Sequence, residues 1–140
     1  MNYPLPQDRS YSWEEYLQFE RDTEDRYEYH DGNIVAMAGA SNRHNKIVTN
    51  LILGIKPRIA GKGCDLFSET VKLFRHRSDR YLYPDLMVTC APLDQQTKNG
   101  VRSPQMVVEV LSPHSAYGDQ TFKLREYFRL PSLRHYLIVA

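Results

Sequence analysis

Two acidic side chains stand inside stretches that otherwise read as apolar strands. Glu109 interrupts Met106-Val107-Val108-Glu109-Val110-Leu111, and Asp85 lies upstream in Tyr83-Pro84-Asp85-Leu86-Met87-Val88. An unpaired charge in a core is costly enough that a folded domain keeps it only beside a cation, a metal or a donor network. If the two stretches are neighbouring strands, the carboxylates can meet at one point on a sheet and offer hard oxygen ligands suited to Mg²⁺ or Mn²⁺. Such an ion polarises a phosphodiester and lowers the pKa of its bound water, which is the chemistry of metal-assisted hydrolysis.

Lys123 is the natural third member, because on a downstream helix it lies beside Tyr127 at the edge of the apolar stripe. From there its ammonium could stabilise the charge that develops in a transition state. Each residue also has a purely structural reading. Asp119 and Lys123 form an i, i+4 pair of the kind that decorates solvated helix faces. Asp85 beside Pro84 fits a strand start whose carboxylate accepts nearby amides. Glu109 fits a buried salt bridge. His44, near the start of a helix, fits either a proton carrier at a cleft or a core histidine bonded to backbone. Glu28 could add a third carboxylate from a hairpin, or simply be solvated there. Lys72, Arg75, His76, Arg77 and Arg80 could track a phosphate backbone, or form a soluble hairpin tip.

The elements that must position these residues are legible from periodicity and turn chemistry. Ser12-Trp13-Glu14-Glu15 is a capping box that predicts a helix through about Glu20. Asp31-Gly32 between two short strand patterns predicts a tight hairpin. From Ser41, apolar residues at Ile47, Val48, Leu51, Ile52 and Ile55 predict a one-faced helix closed by Pro57 and Gly61. Asp65 to Phe74, Tyr81 to Cys90 and Gln105 to Leu111 read as three strands of one sheet. Gly118-Asp119 opens a further helix ending at Pro131, and His135 to Ala140 reads as a last strand. An apolar strand at the end of a chain exposes an edge, which suggests a shortened chain or a pairing partner.

The bulk properties exclude little. A chain of 140 residues with 18 basic and 17 acidic side chains, formal charge +1, is the size of one domain and carries no global field that announces nucleic acid. Cys64 and Cys90 follow no metal-ligand spacing, so both read as reduced, buried, small apolar residues. The amino terminus lacks a cationic start followed by an apolar run, and no stretch approaches membrane-spanning length. A cytoplasmic protein with no membrane partner is expected.

Taken together, Pro84-Asp85, Glu109-Val110-Leu111-Ser112-Pro113, Asp119 with Lys123, and Tyr136-Leu137-Ile138-Val139 resemble the Uma2 family. Tyr27-Glu28-Tyr29-His30-Asp31-Gly32 and His44 share in the resemblance, which runs from about Ser12 to the end. That family is assigned to the PD-(D/E)XK nuclease superfamily and commonly labelled as restriction endonucleases. The resemblance implies a single α/β domain over 1–140, with a restriction-endonuclease-like core. In it a mixed central sheet is flanked by helices and preceded by an N-terminal helix and a β-hairpin. It implies Asp85 and Glu109 as metal ligands, with the carbonyl of Val110 as a third oxygen. The superfamily pattern places a lysine two residues after the second acid, where this chain has Leu111. The resemblance assigns that amine to Lys123 instead. Family members usually continue past the final strand.

The leading expectation is therefore a Mg²⁺- or Mn²⁺-dependent endonuclease acting on nucleic acid, with DNA as the substrate and a homodimer as its form. The alternative is a catalytically silent nucleic-acid-binding or assembly module of the same fold, consistent with Leu111 and the near-neutral charge. A glycoside hydrolase using the paired acids is a weaker third reading, because the acids accompany a lysine and lack an aromatic cleft.

Overall fold

The computed structural model describes residues 9–37, 40–74, 80–112 and 117–140; the side chains of Arg80 and of residues 117–119 lie outside the description. The capping box forms as its sequence predicts. The Ser12 hydroxyl accepts from the Glu15 amide at 3.1 Å, and the Glu15 carboxylate accepts from the Ser12 amide at 2.7 Å. Two orphan donors at the start of helix α1 (Trp13–Asp22) are thereby satisfied. Strands β1 (Tyr27–His30) and β2 (Asn33–Ala36) follow as an antiparallel hairpin. Asp31 and Gly32 take positive φ values of 47° and 90°, the conformation that a two-residue turn between twisted strands requires. A Cβ at Gly32 would force the Ser10 hydroxyl to move and would be strained at this φ, which favours glycine there.

Helix α2 (Asn42–Ile59) begins at the expected cap, Ser41, whose hydroxyl accepts from the His44 amide at 3.1 Å. It does not stop at Pro57, which lies inside its last turn. There the missing N–H costs a single bond, and Arg58 donates from its guanidinium to the Gly54 carbonyl in the interrupted turn. Two of the predicted strand stretches are broken. Asp65 to Phe74 yields β3 (Asp65–Ser68) and β4 (Leu73–Phe74), and Tyr81 to Cys90 yields β5 (Arg80–Leu82) and β6 (Leu86–Thr89). A turn closed by the Val71 amide on the Ser68 carbonyl separates the first pair, and Pro84, which has no amide to donate, separates the second. A short helix α3 (Pro92–Gln96), strand β7 (Pro104–Val110), helix α4 (Tyr117–Phe128) and strand β8 (His135–Val139) complete the chain.

The strands form two sheets rather than the single one expected, in the orders β2-β1-β5-β4 and β3-β6-β7-β8. The chain divides correspondingly into two compact units, Met1–Gly39 with Phe74–Leu82, and Ala40–Leu73 with Tyr83–Ala140. In the first unit Tyr16, fully buried, donates its phenol to the Tyr27 carbonyl at 2.7 Å and stacks on Tyr29, with ring centroids 5.1 Å apart. Tyr11, Ile34 and Tyr81 complete that aromatic core.

The second unit is the predicted α/β core with a mixed sheet. The pairs β3/β6 and β6/β7 are antiparallel, whereas β7/β8 is parallel and needs α4 as its crossover. Val48 of α2 packs on Leu86, Val108 and Val110, so the even-numbered residues of β7 face α2. The period-2 alternation of a strand then turns Glu109 to the opposite face.

The reading of the cysteines is overturned. Cys64 and Cys90 flank the Asp65↔Thr89 rung of the β3/β6 ladder and are joined as a disulfide, with their Cα atoms 4.0 Å apart. They lie 26 residues apart in sequence, so only strand pairing brings them together.

Candidate functional site

The register of the second sheet aligns three acids. Ser68 pairs with Leu86, and Leu86 pairs with Val108. The next residues along these strands are Glu69, Asp85 and Glu109, so β3, β6 and β7 each deliver a carboxylate at one end of the sheet. Asp85 and Glu109 are both buried, and Glu69 is half-buried. Asp85 can sit in this row because Pro84 ends the preceding pairing and frees the backbone to turn. Its Oδ2 then accepts the Val110 amide at 2.6 Å.

His44 reaches the row from the first turn of α2. Its Nε2 lies 3.2 Å from Asp85 Oδ1 and also 3.2 Å from Glu69 Oε1. One ring nitrogen carries at most one proton, so it cannot make a full hydrogen bond to both carboxylates at once. Three such atoms close to one another could instead hold a divalent ion. Among the described residues, the group of possible ligands with atoms all within 4.8 Å of one another is His44, Glu69 and Asp85.

Electrostatics favour a cation here. Burial lifts the Asp85 carboxyl above the usual aspartate range, and the negative Glu69 adds to the lift. The Val110 amide, His44 and Lys123 pull in the opposite direction without cancelling it. A divalent cation would reverse this balance by holding the carboxylates ionised. The donor chemistry fits such an ion: two carboxylates suit Mg²⁺ or Mn²⁺, and the imidazole nitrogen favours the transition metal of the two.

Glu109 is held from the other side. The Tyr127 phenol donates to Glu109 Oε1 at 2.5 Å, and Lys123 Nζ stands 3.7 Å from the same oxygen. Tyr127 and Lys123 are one turn apart on α4 and so share a face. The amine of Lys123 thus lies beside the acid row, although it comes from a helix rather than from the position of Leu111. For Val110, the group with a defined partner is the amide, bound to Asp85.

Glu28 is buried in the first unit, with His30 Nε2 3.5 Å from its Oε1. Asp119 lies on α4, with its side chain outside the described residues. Of the basic cluster, Lys72 is described, its carbonyl accepting from the Val101 amide at 2.8 Å. Arg75, His76, Arg77 and the side chain of Arg80 lie outside the description.

Two residues escaped the sequence reading. Glu69 sits in Ser68-Glu69-Thr70, a polar run indistinguishable from any solvated turn. Tyr127 reads as part of an apolar helix face; the available signal was that a buried tyrosine hydroxyl demands a polar partner.

Comparison with known proteins agrees with this architecture. A family model described as "Uma2: Putative restriction endonuclease" matches residues 13–140. The uncharacterized protein slr1290 of Synechocystis is 36% identical over 127 residues, spanning 91% of this chain and 67% of that protein. A second uncharacterized Synechocystis protein, sll1609, is 32% identical over 127 residues, spanning 89% and 72%. The fold is similar to that of a crystallised protein of Anabaena variabilis described as a "putative nuclease belonging to DUF820". The TM-score is 0.68 at 20% identity, covering 84% of this chain and 68% of that one. From Trp13 to its last residue the sequence follows the family pattern, and this chain belongs to the Uma2 family.

Proposed function

We propose that the protein is a metal-dependent endonuclease that hydrolyses phosphodiester bonds of DNA, using the acid row at the end of the second sheet. The observation that carries this reading is the convergence of His44, Glu69 and Asp85 within 4.8 Å, with a buried Glu109 next along the row and an amine beside it. His44, Glu69, Asp85 and Glu109 would hold Mn²⁺ or Mg²⁺, the Val110 carbonyl being a further oxygen at the same strand end. When bound, the ion supplies Lewis-acid polarisation of the phosphate and a water acidic enough to attack near neutral pH.

The chain's own residues do the rest. The Val110 amide fixes the Asp85 carboxylate. The Lys123 ammonium, anchored near Glu109, is placed to meet the negative charge that builds on the phosphate as the bond breaks. Asp119, one turn before Lys123 on α4, is an accessory candidate. Cleavage of both strands of a duplex needs two such centres. A homodimer as the working form would supply both. Among the described residues no helix is long and apolar enough to cross a membrane.

The test is cleavage of plasmid and oligonucleotide DNA, with RNA in parallel, under Mg²⁺ and under Mn²⁺. The wild type is expected to cut DNA, and Asp85→Ala, Glu109→Ala and Lys123→Met to lose at least about a hundredfold in rate. Wild-type protein that binds DNA without cutting it under either metal would favour the silent binding module. Leu111, in the position where superfamily members carry lysine, is the observation on that side.

A further inference from the structure

We infer that Tyr127 is a positioning residue of the metal centre, setting the orientation of Glu109 and through it the affinity for the ion; this rests on the reading of Glu109 as a ligand. Tyr127 is fully buried, and its ring meets Tyr136 of β8 edge-on with centroids 5.0 Å apart. Phenylalanine would fill the same volume and keep the same ring contact. The hydroxyl is therefore surplus to packing, and the bond it donates to Glu109 Oε1 offsets the cost of burying it. A hydroxyl donating to a carboxylate is among the stronger kinds of hydrogen bond.

The bond also constrains geometry. β7 places the Glu109 backbone through its parallel pairing with β8, opposite Ile138. A glutamate side chain beyond that backbone still has three rotatable bonds. Tyr127, pinned by Tyr136, and Lys123, 3.7 Å away, both address one of its two oxygens. These contacts restrain the position of that oxygen, while the orientation of Asp85, the next acid in the row, is set by the Val110 amide. Hydrogen-bonded partners of metal ligands typically account for about 10- to 100-fold in metal affinity or activity.

The experiment is Mn²⁺ titration, by calorimetry and by the electron paramagnetic resonance signal of the free ion. The proteins are the wild type, Tyr127→Phe, Glu109→Gln and the double variant, with thermal unfolding of each recorded in parallel. Tyr127→Phe is expected to weaken Mn²⁺ binding by about tenfold or more, and to weaken it no further once Glu109 is glutamine. A Tyr127→Phe protein that binds Mn²⁺ within about twofold of wild type overturns the inference, as does an equal loss in the Glu109→Gln background. Wild-type protein that binds no Mn²⁺ overturns both this inference and the metal reading beneath it. Wild-type protein that binds Mn²⁺ but cleaves nothing, while Tyr127→Phe binds it more weakly, removes the nuclease reading and leaves the positioning role standing.

Discussion

Reducing the Cys64–Cys90 disulfide should cost the native state a substantial share of its stability without unfolding it. The bond closes a loop with a sequence separation of 26. In the chain-entropy treatment, a cross-link over that length removes about 12 cal/mol/K from the unfolded ensemble, or about 3.5 kcal/mol at 25 °C. Domains of this size are stable by roughly 5–15 kcal/mol, so the folded form should survive reduction. The four rungs of the β3/β6 ladder, from Asp65↔Thr89 to Ser68↔Leu86, keep the two strands paired without it. For a chain of this length the loss corresponds to a melting temperature lower by about 10 °C. The assay is thermal and urea unfolding of the oxidised protein against the same protein in a phosphine reductant, with Cys64→Ala/Cys90→Ala as a control held in the reduced topology. Thiol titration in denaturant should find no reactive thiol before reduction and both cysteines after it. A stability difference below about 1 kcal/mol would refute the entropic reasoning. Two titratable thiols in the untreated protein would refute the pairing itself.

Two further outcomes follow from the buried acids. Because burial raises the Asp85 pKa in the folded state, its protonated form supports stability fully below the ordinary aspartate range, and that support fades as pH rises through the raised value. Above that raised value the metal-free wild type carries a buried anion. Asp85→Asn should melt higher than the wild type there, with the gap closing toward acid pH, and should lose Mn²⁺ affinity; a gap that ignores pH would contradict the assignment. Asp94, buried beyond β6, accepts from the Thr89 hydroxyl at 2.7 Å and from the Arg102 and Ser103 amides at 2.9 and 3.0 Å. Asp94→Ala should cost about 3 kcal/mol in urea unfolding while leaving Mn²⁺ affinity intact.

The contrast between Asp94 and Asp85 shows where sequence reading stops. Both are buried aspartates near the same strand, one at each end. Asp94 is saturated by amides and a hydroxyl and holds a loop, whereas Asp85 keeps one oxygen 3.2 Å from a histidine that also faces Glu69. Nothing in Pro92-Leu93-Asp94-Gln95 or Tyr83-Pro84-Asp85-Leu86 marks that difference, because it depends on which backbone donors arrive from distant segments. The local elements were far more legible. The Ser12 box, the Asp31-Gly32 turn and the Ser41 cap each formed where their side-chain chemistry required, since the satisfying groups lie within a few residues of one another.

By itself the sequence determined the longer helices and the approximate strand stretches, though not helix α3, and also that Glu109 and Asp85 were misplaced unless partnered and that the chain resembles its family. These are consequences of local hydrogen bonding, of periodicity and of the cost of burying charge. Only the tertiary structure decided that two of the strand stretches split between two sheets, that Cys64 meets Cys90, and that Glu69 and Tyr127 belong to the acid row. Each of those depends on strand register and helix docking. A shift of one residue in either ladder would turn every side chain to the other face and disperse the row, and no segment of the chain encodes that register alone.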